Sequence, residues 1–198
     1  MRSTRNKPVN ALFRMALIAT LALQSACVSM VASKYQPGMA NAEVLSRQSG
    51  AAPLRVGAFS ADPKLDGKPL NVRGSTLSGG EDGKFSTYLR DALSTELKTA
   101  GRLDDNAALE IGGELLQNRL NGGGAAAGDG HAIVQARFVI KRGDSQVYDR
   151  TLTAEHHWPS SFMGPIAIPA AFDNYTATVQ KLLQQLFSDP QFERATAR

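Results

Sequence analysis

Glu155, His156 and His157 set a carboxylate beside two imidazoles, the side-chain types that hold metals and move protons, and Trp158 follows them. Successive residues of a strand project to opposite faces, so His156 and His157 are not expected to share an ion. Zinc takes three or four protein ligands, and His131 is the one further imidazole of the chain. The run is therefore read as a polar strand end, and no metal site is expected. The glycine-rich stretch Gly122 to Gly130 has the composition of a phosphate cradle. It lacks the Gly-Lys-Ser/Thr ending and precedes a strand pattern, which fits a glycine connection better. Arg142, Gly143 and Asp144 match an adhesion tripeptide, but Gly-Asp between two alternating runs is turn chemistry. No Gly-x-Ser-x-Gly elbow occurs and no spacing sets a nucleophile beside a base. No catalytic residue and no cofactor are expected, and the chain reads as a non-enzyme.

The remaining reactive group is Cys27, the sole cysteine. A secreted domain held by disulfides would carry several. The residues before it have the parts of an export signal. Arg2, Arg5, Lys7 and Arg14 form a basic front with no acidic residue, and Met15 to Leu23 is an apolar run of nine. Roughly 20 apolar residues are needed to cross a bilayer, so this run is too short. Leu23, Gln24, Ser25 and Ala26 then lead to Cys27. That sequence resembles a bacterial lipobox, matching at Ser25, Ala26 and Cys27 and departing at Gln24, where a branched aliphatic residue is usual. The resemblance implies cleavage after Ala26 and acylation of Cys27. Val28 and Ser29 stand where an Asp would imply retention in the inner membrane, so the implied address is the periplasmic face of the outer membrane. Two or three acyl chains make such an anchor stable.

The formal net charge of +4 belongs to the leader. Without its four basic residues the exported chain keeps 18 Lys and Arg against 18 Asp and Glu. A neutral chain offers no electrostatic attraction to nucleic acid, which is excluded as a partner. Residues 1–26 read as the signal and 27–53 as the lipidated cysteine with a flexible tether. Residues 54–190 read as one α/β domain and 191–198 as a frayed tail. As a coil the tether would span roughly 30 Å. Within it, Met39, Ala42 and Leu45 could share one face of a short helix over Met39 to Gln48.

Leu54, Val56 and Ala58 alternate and predict a strand over Leu54 to Phe59. Leu70 to Arg73 suits a short strand, and Ser75 to Gly83 a loop. Phe85, Tyr88, Leu89, Ala92, Leu93, Leu97 and Ala100 recur at three and four, which predicts a helix ended by Gly101. Alternation predicts further strands over Ala108 to Leu116, His131 to Arg142 and Gln146 to His156, the last two joined by a hairpin turn. Phe172, Tyr175, Val179, Leu182, Leu183 and Leu186 predict a closing helix over Ala171 to Ser188. Pro159 to Pro169 reads as an irregular apolar loop that either closes the core or forms a partner-binding lip. The order β-α-β-β-β-α predicts an α+β two-layer sandwich, a mostly antiparallel sheet with two amphipathic helices on one face.

Leu54, Arg55 and Val56, the Tyr88 to Leu93 helix segment and the later hairpin and helix resemble YajG-like envelope lipoproteins and the auxiliary lipoproteins of ABC-type lipid transporters. The amino-terminal domains of CsgG and TolB are a more distant likeness. The resemblance supplies no catalytic motif. It implies a membrane-anchored, non-catalytic protein acting through an envelope protein partner. The alternatives are an auxiliary subunit of a lipid-trafficking system, with lipid as ligand, and a hydrolase or metal binder.

Overall fold

The computed structural model describes residues 29–48, 50–124 and 128–198, so Cys27 and the segments read as leader and lipobox lie outside the described residues. The elements are β1 (Ser29–Val31), α1 (Met39–Arg47), β2 (Leu54–Ala61), β3 (Leu70–Val72) and β4 (Ser75–Ser78). They continue with α2 (Phe85–Thr99), β5 (Leu109–Asn121), β6 (Gly130–Arg142), β7 (Ser145–Trp158), α3 (Gly164–Phe187) and α4 (Pro190–Thr196). The main sheet runs β2-β5-β6-β7, with β2 and β5 parallel and the other neighbours antiparallel. A small mixed sheet, β1-β4-β3, flanks it. The architecture is the expected α+β sandwich, with α2 and α3 on one face of the main sheet.

Alternation decides which face is covered. Leu109, Ile111 and Leu115 of β5, Ala132 to Ile140 at every second residue of β6, and Tyr148, Ala154 and Trp158 of β7 are buried against the helices. Helix α2 buries the predicted stripe from Phe85 to Leu97. It ends in a Schellman motif: Gly101, at φ 66°, donates to the Lys98 carbonyl and Arg102 to that of Leu97. At its start Asp66 accepts from the amide and hydroxyl of Ser86, a carboxylate placed on the positive end of the helix.

Four expectations are corrected. Ser75 to Gly83 is not a loop throughout, because Ser75–Ser78 forms β4 between β1 and β3. Pro159 to Pro169 is not irregular throughout, because α3 begins at Gly164, before Pro169. Pro165 sits in the first turn, where its missing N–H costs nothing. Pro169 removes one further bond, while Ala167 is buried and Ile168 packs on the core. The segment read as a frayed tail holds α4. Asp189 caps it by accepting from the Gln191 amide at 2.8 Å. Fully buried Phe192 packs edge-on against Tyr148 and Phe187. Pro190 thus opens a helix as well as closing the previous one. The stretch read as a tether is folded from Ser29 onward. Strand β1 pairs with β4, Tyr35 and Leu45 are buried, and α1 forms where a helix was expected.

The tether is held by one carboxylate. Glu96 of α2 is fully buried. Its Oε1 accepts from the Tyr35 hydroxyl at 2.5 Å, the Gly38 amide at 3.0 Å and Asn41 Nδ2 at 2.8 Å. Asn41 also donates to the Gln180 carbonyl of α3, so one knot joins three helices and the chain before them. Burial first, and then the neighbouring carboxylate, push the Tyr35 phenol far above its ordinary range, which keeps it a donor.

Candidate functional site

Two features meet at one end of the sandwich. The first is an apolar lip built around Arg73. The β3–β4 hairpin turns on Arg73, at φ 51°, and Gly74, at φ 83°. A non-glycine residue with positive φ is strained, and here the side chain is well compensated. Its guanidinium donates to the carbonyls of Gly123 and Gly124 at 2.9 Å and of Phe162 at 3.2 Å. It also reaches Ser160 Oγ at 3.3 Å. Five rigid donors suit Arg to gathering several carbonyls at once. The loop before α3 is thereby tied to the small sheet, and its large side chains stand outward. Phe162 is 69%, Met163 45% and Ile166 51% exposed.

This lip lies beside the start of β1. Ser29 pairs with Thr76, just after the Arg73–Gly74 turn. Met30 and Val31 border a groove completed by Pro169, Phe172 and Tyr175 of α3. That groove holds about 110 Å³, well under the roughly 300 Å³ at which ligand pockets begin. The larger groove beside Tyr35, about 700 Å³, sets Tyr35 and Tyr88 beside Asp82, Thr87, Arg90 and Asp91.

The second feature is on the open face of the main sheet. Here the structure separates the expected polar run. His156 and Trp158 turn toward the helices: His156 Nε2 lies 2.9 Å from Asn174 Oδ1, and Trp158 is buried. Glu155 and His157 turn the other way and meet His131. His131 Nε2 and His157 Nε2 lie 2.8 and 3.0 Å from the same oxygen, Glu155 Oε1. The two rings stack at 4.5 Å. Contact with His131 first, and then His157, holds the Glu155 carboxyl below its ordinary range.

Register makes this meeting. Counting straight back from the Arg142–Ser145 turn would set His131 opposite His156. A bulge leaves Val147 unpaired, so Ile140 meets Tyr148 and His131 meets His157. The strands and turn were readable, but the bulge was not. Further along the same face a shallow depression of about 370 Å³ carries Glu110, Glu114, Arg137 and Lys141. Arg55 pairs there with Glu110, and Arg137 forks onto both oxygens of Asp149 at 2.6 and 2.7 Å. Opposite charges on this face are mostly spent on one another.

The other sequence candidates have structural roles. A Cβ on Gly130 would fall 2.1 Å from the Trp158 ring, and one on Gly122 2.4 Å from Val72, so close packing requires these glycines. Gly143 takes φ 60° in the hairpin turn between Arg142 and Asp144. None of the three histidines bonds a hydroxyl among the described residues. No described helix is long and apolar enough to cross a membrane.

No protein-family model matches the chain, and no curated protein matches it in sequence. Among solved structures, one shows a likeness of fold and others align less closely. A DUF330 protein from Xanthomonas campestris superposes with a TM-score of 0.53 at 16% identity, over 81% of this chain and 95% of its own. A candidate lipoprotein from Caulobacter crescentus gives 0.41 at 13% identity, over 74% and 89%. A minor lipoprotein from Acinetobacter baumannii gives 0.40 at 13%, over 71% and 92%. At these identities the first match is a likeness of fold.

Proposed function

We propose that this chain is a non-catalytic envelope lipoprotein. It is anchored through acyl chains on Cys27 and docks a protein partner through the lip of Phe162, Met163 and Ile166. The observation that carries the reading is the lip itself: Phe162 and Met163 before α3 and Ile166 in its first turn are large, apolar and exposed, and Arg73 pins the backbone at Phe162. Exposed apolar side chains grouped in this way favour an interaction site. The segment 159–168 contains no charged residue, and Arg73 is committed to carbonyls. The lip therefore lacks the free cations that draw a surface to anionic lipid, which favours a protein.

The lipobox supplies the address. One residue, Val28, separates Cys27 from Ser29, and the two steps span at most about 7 Å. An anchor on Cys27 would hold the end bearing the lip close to the bilayer, far nearer than the roughly 30 Å of a loose tether. The partner is accordingly a membrane-level envelope protein. The outer membrane is the proposed site, since Val28 and Ser29 follow the cysteine. The resemblance to YajG-like lipoproteins and to ABC-transport auxiliary lipoproteins gives the family setting.

Photocrosslinking in intact cells tests this. A benzophenone side chain at Phe162 or Ile166 should capture one discrete protein that the same probe at Thr151, on the open sheet face, does not. Capture of lipid alone at both lip positions would refute the protein-docking reading.

A further inference from the structure

We propose that His131, Glu155 and His157 form a binding site for one divalent transition-metal ion of the zinc and copper class. Each offers one ligand atom, and the three atoms lie within 4.8 Å of one another. That spacing can close around a single ion with small side-chain rotations, because ligand bonds to zinc are about 2.0–2.2 Å long. The backbone is already in place. His131 and His157 are directly paired across β6 and β7, and Glu155 stands two residues before His157 on the same face. The ligands project from paired strands, and the Lys181 ammonium bonds the Glu155 carbonyl at 2.9 Å on the β7 edge.

Donor chemistry selects the class of ion. Two imidazoles and one carboxylate suit zinc, copper or nickel, whereas calcium and magnesium require oxygen ligands. All three side chains are partly exposed, which leaves the remaining coordination positions to water. Without an ion both imidazoles already lie at hydrogen-bond distance from Glu155 Oε1, so the three ligand groups converge on one point. The ion would staple β6 to edge strand β7 one residue from Trp158. This site is independent of the anchoring and docking proposed above.

The test uses the full-length, tag-free protein in detergent, stripped with chelator. Titration calorimetry with zinc should show one equivalent bound per chain. Copper should quench the fluorescence of Trp158, the only tryptophan, and zinc should reverse the quenching by competition. His131→Ala, His157→Ala and Glu155→Gln should each weaken zinc binding by more than the roughly 10–100-fold typical of changes to groups that only orient a ligand. His156→Ala, which lies on the opposite face, should leave it unchanged. The altered ligands are surface residues, and circular dichroism confirms that each variant is folded. Absence of saturable zinc binding by the wild-type chain would overturn the site. So would equal binding by the three ligand variants.

Discussion

Replacing Glu96 by Ala should release the segment 35–47 from the rest of the domain. The carboxylate accepts three hydrogen bonds inside the protein, from Tyr35, Gly38 and Asn41. Asn41 keeps one acceptor, the Gln180 carbonyl, so the Tyr35 hydroxyl, the Gly38 amide and one Asn41 N–H lose their partner. A buried donor left unsatisfied costs about 1–3 kcal/mol, and because Gly38 is only half-buried the three together give a loss toward the low end of their sum, on the order of 3–5 kcal/mol. That is a large share of the roughly 5–15 kcal/mol that holds a domain together. Tyr35→Phe removes one bond to a carboxylate and should cost about 1.5–3 kcal/mol. The double variant should then lose less than the sum, because both changes break the same contact. Urea unfolding followed by Trp158 fluorescence measures the stability, and hydrogen exchange over residues 35–47 locates the change. If Glu96→Ala costs under about 0.5 kcal/mol and exchange in that segment is unaltered, the knot does not hold the tether.

Further outcomes follow from the same packing. Phe192→Ala should destabilise by about 3–5 kcal/mol, the usual range for a buried phenylalanine, and should raise exchange over residues 190–196; a neutral result would mean that α4 is not docked. Gly130→Ala should cost about 1–3 kcal/mol through overpacking and shift the Trp158 emission, since the new Cβ would fall 2.1 Å from that ring; an unshifted emission at full stability would contradict the close approach. Hydrogen bonding to Arg137 and its charge hold the Asp149 carboxyl below the ordinary carboxylate range. Its ionisation thus favours the folded chain above the unfolded carboxylate pKa of about 4, and that contribution is lost as pH falls through the depressed value. NMR titration of Arg137→Gln should show the Asp149 midpoint returning upward, and an unmoved midpoint would exclude Arg137 as the cause.

Where periodicity is long, the fold was legible in the sequence. The α2 stripe and its Gly101 stop, the alternation of β6 and the turn at Gly143 all form as read. What escaped depends on partners far along the chain. Tyr35 is polar enough to suit a linker until Glu96, Gly38 and Asn41 meet around it. Pro169 reads as a barrier to a helix, yet α3 runs through it because Ala167 and Ile168 have a core to pack on. Asp189 followed by Pro190 is a helix-opening pair that reads equally as the stop of the helix before it. The His131, Glu155 and His157 cluster hinges on a single bulged residue, Val147, and alternation does not reveal a one-residue slip. The lip was readable as an apolar segment, but its exposure required knowing that Arg73 pins the Phe162 carbonyl.

Intact-mass and amino-terminal peptide measurement on the protein extracted from membranes bears most directly on the central claim. The account predicts a chain that begins at Cys27 and carries a diacylglyceryl group on the sulfur and an acyl group on the amine. A chain that still begins at Met1, or one cleaved with an unmodified Cys27 thiol, would contradict it.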